Sequence, residues 1–343
     1  MNLTRRDFSA ALVGTGAALA WDAALSWPAP SLHLLVAFPQ GNGAHQLARL
    51  LAKGLKEEMG VIVGIENAEG DPGQLAAQVS RLDAPSVTTL LLSRDHFVSV
   101  QRLLSKSRST GFIDHFVPVA GLATEGYALA VSGRTPVQTF GDYKAWVTQT
   151  NTVEVGVPAL NSMEYMLIRG MGQMYRPRPD DLVPIPYHGS ALLLRDMLDH
   201  RIAAAMAPAS DWIEHHRSGQ LRVVAVTGHA RQAALPEVPT FAELGEGYHD
   251  QTSGYGLFAS RNTSPAHLHL VGESVKKVLK RQSLRSALTA HGLVVDFMPA
   301  NRLVNVETRQ VDRWATIKYT FGNAENTYLE QWGRYPHKVW TGP

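Results

Sequence analysis

The sequence predicts an α/β protein of two doubly wound lobes joined by two crossover segments. Three observations predict it. Short apolar runs alternate with amphipathic helical stretches along most of the chain, as in a sheet covered by helices. The alternation runs through one series to about residue 126 and then begins again. The 343 residues are enough for two domains of ordinary size.

The elements follow in order. LHLLVAF (Leu32 to Phe38) is a short apolar run, better suited to a buried strand than to a helix. After the turn Pro-Gln-Gly-Asn-Gly, Leu47, Leu50, Leu51 and Leu55 recur at helical spacing, and Gly60 supplies a stop. VIVGIEN is a second strand, and DPGQLAAQVSRL opens a helix with Pro72 in its first turn. VTTLLLS is a third strand, and VPVAGLA and YALAVSG read as two more. In the second series, FGDYKAWVTQ is a helix, VEVGVP a strand, and NSMEYMLIRGMGQMY a helix capped by Asn161 or Ser162. LVPIPY is a strand, SALLLRDMLDH a helix capped by Ser190, RIAAAMA a strand, SDWIEHHRSG a helix and LRVVAVTG a strand.

SGYGLFAS is then a further strand, followed by the helices SPAHLHLVGESVKKVLKRQ and LRSALTAHGL, the short strand VVDFMP and a helix from Asn301 to about Tyr319. This closing stretch has no sheet of its own to complete, so it is expected to pack on the first lobe. The expected division is residues 31–125 with 252–343 in lobe 1 and 126–251 in lobe 2. The crossings fall near Gly121 to Gly126 and Gln251 to Gly256.

Residues 1–30 stand apart. Arg5-Arg6 precedes an apolar, small-residue stretch from Phe8 to Ala20, which describes a signal peptide of the twin-arginine type. The alternative is a basic amphipathic helix of the folded protein. The stretch is too short and glycine-rich for a membrane span, so a soluble periplasmic protein is expected. With 32 basic against 30 acidic residues, the chain lacks the basic excess a nucleic-acid partner would need. It has no cysteine, which excludes disulfides and thiolate metal sites.

Two such lobes facing each other place their strand-to-helix loops around one cleft. In the first loop, Gly41 and Gly43 bare the backbone where a helix begins. The first amides of a helix have no partner within it and favour a carboxylate or phosphate. No Gly-Lys-Ser/Thr follows, and Gln46 breaks Gly-x-Gly-x-x-Gly, so a nucleotide is disfavoured. The glycines could equally be serving only a tight turn. In the second lobe, Asn161 and Ser162 either donate to an anion or cap their helix, and Tyr187-His188-Gly189-Ser190 stands at another helix entrance.

These stretches carry a resemblance. LHLLVAFPQGNGAHQLARLLAKGL, VPIPYHGSALLLRDML, LRVVAVTGHARQAALPEVPTFAELG and GYGLFASRNTSP resemble, in order, the Bug family of TctC-type extracytoplasmic receptors of tripartite tricarboxylate transporters. The match spans Leu32 to about Tyr319, and the Leu-Pro-Glu-Val-Pro-Thr run is its most specific part. The resemblance implies a type II periplasmic-binding-protein-like (Venus flytrap) fold that closes on a small carboxylate. It implies a monomer with no cofactor, no metal and no reaction chemistry, working with the membrane permease subunits of such a transporter. Carried over by position, the ligand-binding residues are Phe38, Pro39, Gly41, Asn42, Gly43, Ala44 and His45 on the first loop. Ala159, Asn161, Ser162, Tyr187, His188, Gly189 and Ser190 face them, with Tyr255 by the second crossover and Ser93 and Arg94 on the third-strand loop. The chain departs from the family pattern at Gln40, Asn42 and His45, at Leu160 where a glycine is usual, and at Ala207 where an acid is common.

Rival readings are weaker. His188 and Ser190 suggest a hydrolase, but no Gly-x-Ser-x-Gly elbow is present. His215-His216 and His267-x-His269 suggest a metal receptor, but such spacings on a helix do not face one another. A degenerate receptor serving as a signalling or scaffold partner is the remaining alternative.

Overall fold

The computed structural model describes residues 31–303, apart from 39, 41, 69–71, 83–86, 95–115, 161, 176–180 and 247–250. The leader expected at 1–30, the rest of the helix expected beyond residue 303, and the candidates Pro39, Gly41 and Asn161 therefore lie outside the described residues.

Lobe 1 begins with three parallel strands, β1 (Ser31–Val36), β2 (Ile62–Asn67) and β3 (Val87–Arg94), with β1 in the middle. Helix α1 (Gly43–Met59) joins the first two and α2 (Pro72–Leu82) leads towards the third. Lobe 2 holds α3 (Phe140–Gln149), β5 (Val153–Val157), α4 (Met163–Tyr175), β6 (Leu182–Pro186), α5 (Ser190–Leu198), β7 (Ala204–Pro208), a 3-10 turn (Ala209–Asp211), α6 (Ile213–Arg217) and β8 (Leu221–Val226). The chain then returns through β9 (Thr252–Ser260), α7 (Pro265–Leu279), α8 (Gln282–Ala290) and β10 (Val294–Pro299).

One strand serves both lobes. β4 (Phe116–Ser132) runs for 17 residues, where the sequence reads as two strands with a break between them. Its first part pairs antiparallel with β9, from Phe116 opposite Ser260 to Gly126 opposite Thr252. Its second part pairs antiparallel with β7 and β8. The sheet order is β2-β1-β3-β9-β4-β7-β5-β6, with β10 and β8 also on β4. Thr124-Glu125-Gly126 looks like a turn because it is polar. It stays in the strand because the Glu125 carboxylate finds two donors, described below. Gly126 is needed there because a Cβ would lie 2.5 Å from the Thr227 carbonyl oxygen. Pro118, which cannot donate to a ladder, sits at a register shift, where a strand tolerates it.

The closing helices pack where the sequence places them. Leu47, Leu51 and Leu55 of α1 are fully buried and share one core with Val271, Val275 and Val278 of α7 and with Leu284 and Leu288 of α8. Each such leucine contributes about 1.5–3 kcal/mol by leaving water. Gly54 lets α7 come close, since any Cβ there would strike Val278. α3 starts with a full capping box, Thr139 and Asp142 bonding each other's backbone amides. One expected cap differs. Ser190 is the first helical residue of α5, and Gly189 is the cap because the chain enters with φ 93°, a conformation glycine adopts without strain.

Candidate functional site

The first loop is tied down before it can serve a ligand. Asn67 donates its side-chain amide to the Phe38 carbonyl (2.8 Å), fixing the end of β1. Asn42 caps α1, and its side-chain oxygen accepts the His45 amide (2.9 Å). The first intrahelical bond follows, Gln46 N–H to the Asn42 carbonyl (3.2 Å). His45 was expected to offer its amide to a ligand, but the cap takes it. Gly43 and Ala44 precede the first intrahelical bond, so their amides head the positive end of the helix dipole. Gly43 also touches the other lobe, since a Cβ there would lie 2.5 Å from Ser210 Oγ.

The facing loops show a similar division. Tyr187 N–H donates to the Val157 carbonyl and Gly189 N–H to the Pro158 carbonyl, each at 2.9 Å, which straps the two loops of lobe 2 together. The Gly189 amide, expected as a ligand donor, is therefore engaged. The Tyr187 hydroxyl is turned away to Asp196 (3.2 Å), and burial, aided by that carboxylate, pushes its pKa upward. Ser162 caps α4 by accepting the Tyr165 amide (3.2 Å). Leu160 packs against the lobe 2 core. Ala159 and His188 are exposed, and Ser93 is buried in β3 opposite Gly256.

Between the lobes lies a cavity of about 390 Å³. Gln40, Asn42, Gly43 and Gln46 line it from the first loop and α1, and His291 from the end of α8. Ser190 and Ala191 at the start of α5 face them, with Ser210 and Asp211 beside. Two helix starts from different lobes thus open on one space.

A polar cluster adjoins this cavity through Asp211. Arg94, at the end of β3, reaches across to Glu164 in the first turn of α4 (Nη1 to Oε1, 3.5 Å). Its guanidinium lies 5.5 Å from the Phe38 ring centroid and 5.9 Å from that of Tyr255. The two rings meet edge to face at 5.9 Å. Tyr255 donates its hydroxyl to Glu125 Oε1, and Glu125 Oε2 accepts the Ser210 amide (3.1 Å). Burial works against the charge on Arg94, but Tyr255, Glu164, Tyr127 and Glu125 together hold its pKa above the ordinary value. Burial raises Glu164, against the pull of Arg94, its own amide and the Ser162 hydroxyl. Burial and Glu125 push the Tyr255 phenol well above its usual range. Asp211 rises to about 7, chiefly through burial and then through Glu125, against a hydrogen bond from Ser190 and the charge of Arg94.

The structure thus brings together Phe38, Arg94 and Tyr255, and separately Asn42, Gly43 and Ser190. Sequence reading missed Glu125, Glu164, Ser210 and Asp211. A lone acid in an apolar strand and acids in first helical turns give no signal that separates them from breaks and caps. Gln232 was also missed. Oriented to satisfy both groups, its amide accepts from Gly126 N–H and donates to the Gly292 carbonyl, each at 2.9 Å. His215 and His216 bond different partners, Gln220 (2.7 Å) and Glu237 (2.8 Å). Among the described residues no group of three or more metal-ligating side chains occurs, and no helix is long and apolar enough to cross a membrane.

Two α/β lobes sharing a strand and enclosing a polar cleft define the class of periplasmic solute-binding proteins. Comparison with known proteins narrows it. Residues 47–322 match the family model of the tripartite tricarboxylate transporter family receptor, TctC, and the chain belongs to that family, whose members are solute receptors and not enzymes. It is 26% identical over 321 residues to Protein BugT of Bordetella pertussis, covering 92% of this chain and 97% of that one. Among solved structures it is similar to R. palustris Rpa4515 with adipate, at 25% identity and a TM-score of 0.78, covering 86% of this chain and 98% of that one. It also has the fold of MatC from Rhodopseudomonas palustris with bound malate, at 22% identity and a TM-score of 0.71, covering 85% and 99%.

Proposed function

We propose that this chain is an extracytoplasmic receptor that captures a small organic carboxylate between its lobes and delivers it to the membrane permease of a tripartite tricarboxylate-type transporter. One observation carries the reading: the starts of α1 and α5, from opposite lobes, line the same cavity of about 390 Å³. That volume lies in the ordinary range for small-molecule sites, about 300–1,000 Å³. Helix starts are intrinsic anion sites, and the relatives solved with adipate and malate both hold carboxylates. In this reading Gly43 and Ala44 donate from one lobe, Ser190 and Ala191 from the other, and Arg94 supplies positive charge.

The remaining parts of the proposal follow from it. Residues 1–30 direct export by the twin-arginine route, and the mature protein works as a periplasmic monomer. Residues 31–125 with 252–343 form lobe 1 and 126–251 form lobe 2. β4 and the approach to β9 are the crossings about which the lobes close, the hinge motion of this class.

Thermal unfolding of the purified protein against mono-, di- and tricarboxylates tests the function. A bound ligand at about a hundredfold its Kd stabilises by about 2.7 kcal/mol, so at least one acid should raise the Tm by several degrees. A flat response to the whole panel would remove the receptor reading. It would leave the degenerate-partner alternative.

A further inference from the structure

The cavity on which α1 and α5 open holds a carboxylate of its own. Asp211 ends the 3-10 turn Ala209–Asp211 and lines the cavity beside Ser190 and Ser210. Ser190, the first residue of α5, donates its hydroxyl to it. The Asp211 carboxylate thus stands at a helix start that the proposed function gives to the ligand. The adjacent Ser210 hydroxyl is in the opposite condition. Its oxygen is buried, has no hydrogen-bond partner, and lies against Gly43 at the start of α1. Buried polar atoms left unpaired cost free energy, and native proteins keep few of them. One wall therefore carries an anion where an anion is to bind and, next to it, a donor with nothing to receive.

Two carboxylates close together in one small site do not both stay charged; they share a proton. A cation aimed at Asp211 would relieve the repulsion instead, so the groups around it decide. Glu125 on β4 and Glu164 on α4 add negative charge. The Tyr255 phenol on β9 is held neutral. Arg94 on β3 is the cation that Asp211 feels, and it is engaged with Glu164 at 3.5 Å. On α6, Glu214, His215 and Arg217 line the cavity, but Arg217 donates to the Ala234 carbonyl (2.9 Å) and the His215 ring is bonded to Gln220 (2.7 Å). His291, just beyond α8, is the remaining titratable group of the wall. We propose that Asp211 is a ligand-contacting residue and that capture of an organic acid takes up one proton from solvent, held between the Asp211 carboxyl and a ligand carboxylate, while Ser210 donates to that carboxylate's other oxygen. This deepens, and rests on, the reading of the cavity as a carboxylate site. The high proton affinity that Asp211 already has, with a pKa of about 7, makes that uptake inexpensive near neutral pH. Linkage is reciprocal, so a ligand that favours the proton is itself favoured by it, and affinity rises as pH falls.

Calorimetric titration tests it. The purified protein is titrated with adipate, malate and the tightest acid of the panel, in pairs of buffers of different ionisation enthalpy, which counts the protons taken up. From pH 7 upward these acids are ionised, so the protons counted there are taken up by the complex and not brought by the ligand. Between about pH 7 and pH 8.5 the uptake should climb towards one proton per ligand, and affinity should fall about tenfold. Asp211→Asn should abolish both effects. Binding with no proton uptake and a flat affinity would overturn the inference and leave the carboxylate reading intact. An unchanged uptake in Asp211→Asn would also overturn it. If that variant does not fold or bind, a protein carrying both His215→Gln and His291→Gln decides: uptake retained supports Asp211, and uptake lost overturns it. Silence from every acid, down to about pH 6, would overturn both readings.

Discussion

Asp211, which lines the cleft, shows how a single carboxyl can report on its surroundings. Its folded pKa, about 7, lies above the ordinary value of 3.8 because the folded protein resists charging it. Between those two pH values the folded state holds a proton that the unfolded state has released. Its contribution to stability is therefore greatest below the ordinary value and is lost as pH rises through the folded one. Asp211→Asn removes the titration. Its Tm should match the natural protein's most closely near about pH 4 and exceed it by a growing margin up to about pH 8. Parallel melting curves across that range would show that Asp211 titrates normally. At this scale the sequence is only partly legible. Phe38, Arg94 and Tyr255 are recognisable by type and place. Glu125, Glu164 and Asp211 are not, because what sets them apart is burial against residues distant in the chain, as with Arg94 against Glu164, 70 positions away, and Tyr255 against Glu125, 130 away.

At the scale of elements, the 3.6-residue period and the apolar runs made most of the fold readable. α3 falls on Phe140–Gln149 as its sequence predicts. The reading failed where tertiary contacts override local signals. Thr124-Glu125-Gly126 looked like a break, but the donors of Tyr255 and Ser210 keep a charged residue inside β4. Ser190 looked like a cap because a cap is judged by its side chain, whereas the backbone at φ 93° selects Gly189. Helix α1 matters most, since it carries both the first-loop amides and the lobe 1 core. Asn42→Ala should cost about 1 kcal/mol by exposing the His45 amide. Leu51→Ala should cost about 2–5 kcal/mol by leaving a cavity beside α7. Denaturant midpoints measure both, and equal losses would mean that α1 is not anchored as described.

At the scale of the molecule, β4 runs unbroken through both lobes, so a hinge here bends one strand and its neighbour β9 rather than a loose linker. Among the described residues the lobes meet at several places, including Arg94 with Glu164, Gly43 against Ser210, Glu125 with the Ser210 amide, and Gln232 with Gly292. The overall two-lobe plan was legible because the β/α rhythm visibly restarts. The way the lobes touch was not, since close approach at a glycine leaves no mark in the sequence beyond the glycine itself. Gly43 joins both aspects, bearing an amide at the cleft and allowing the opposite lobe to come near. The decisive experiment is titration of the tightest-binding carboxylate into the natural protein and Gly43→Val, with the ligand-free Tm of each as the control on folding. Loss of binding by about a hundredfold or more is the expected result, with a lower ligand-free Tm reporting the crowding of Ser210 and Leu293 by the added side chain. Equal affinity in the two proteins would mean that the ligand is not held where α1 and α5 begin.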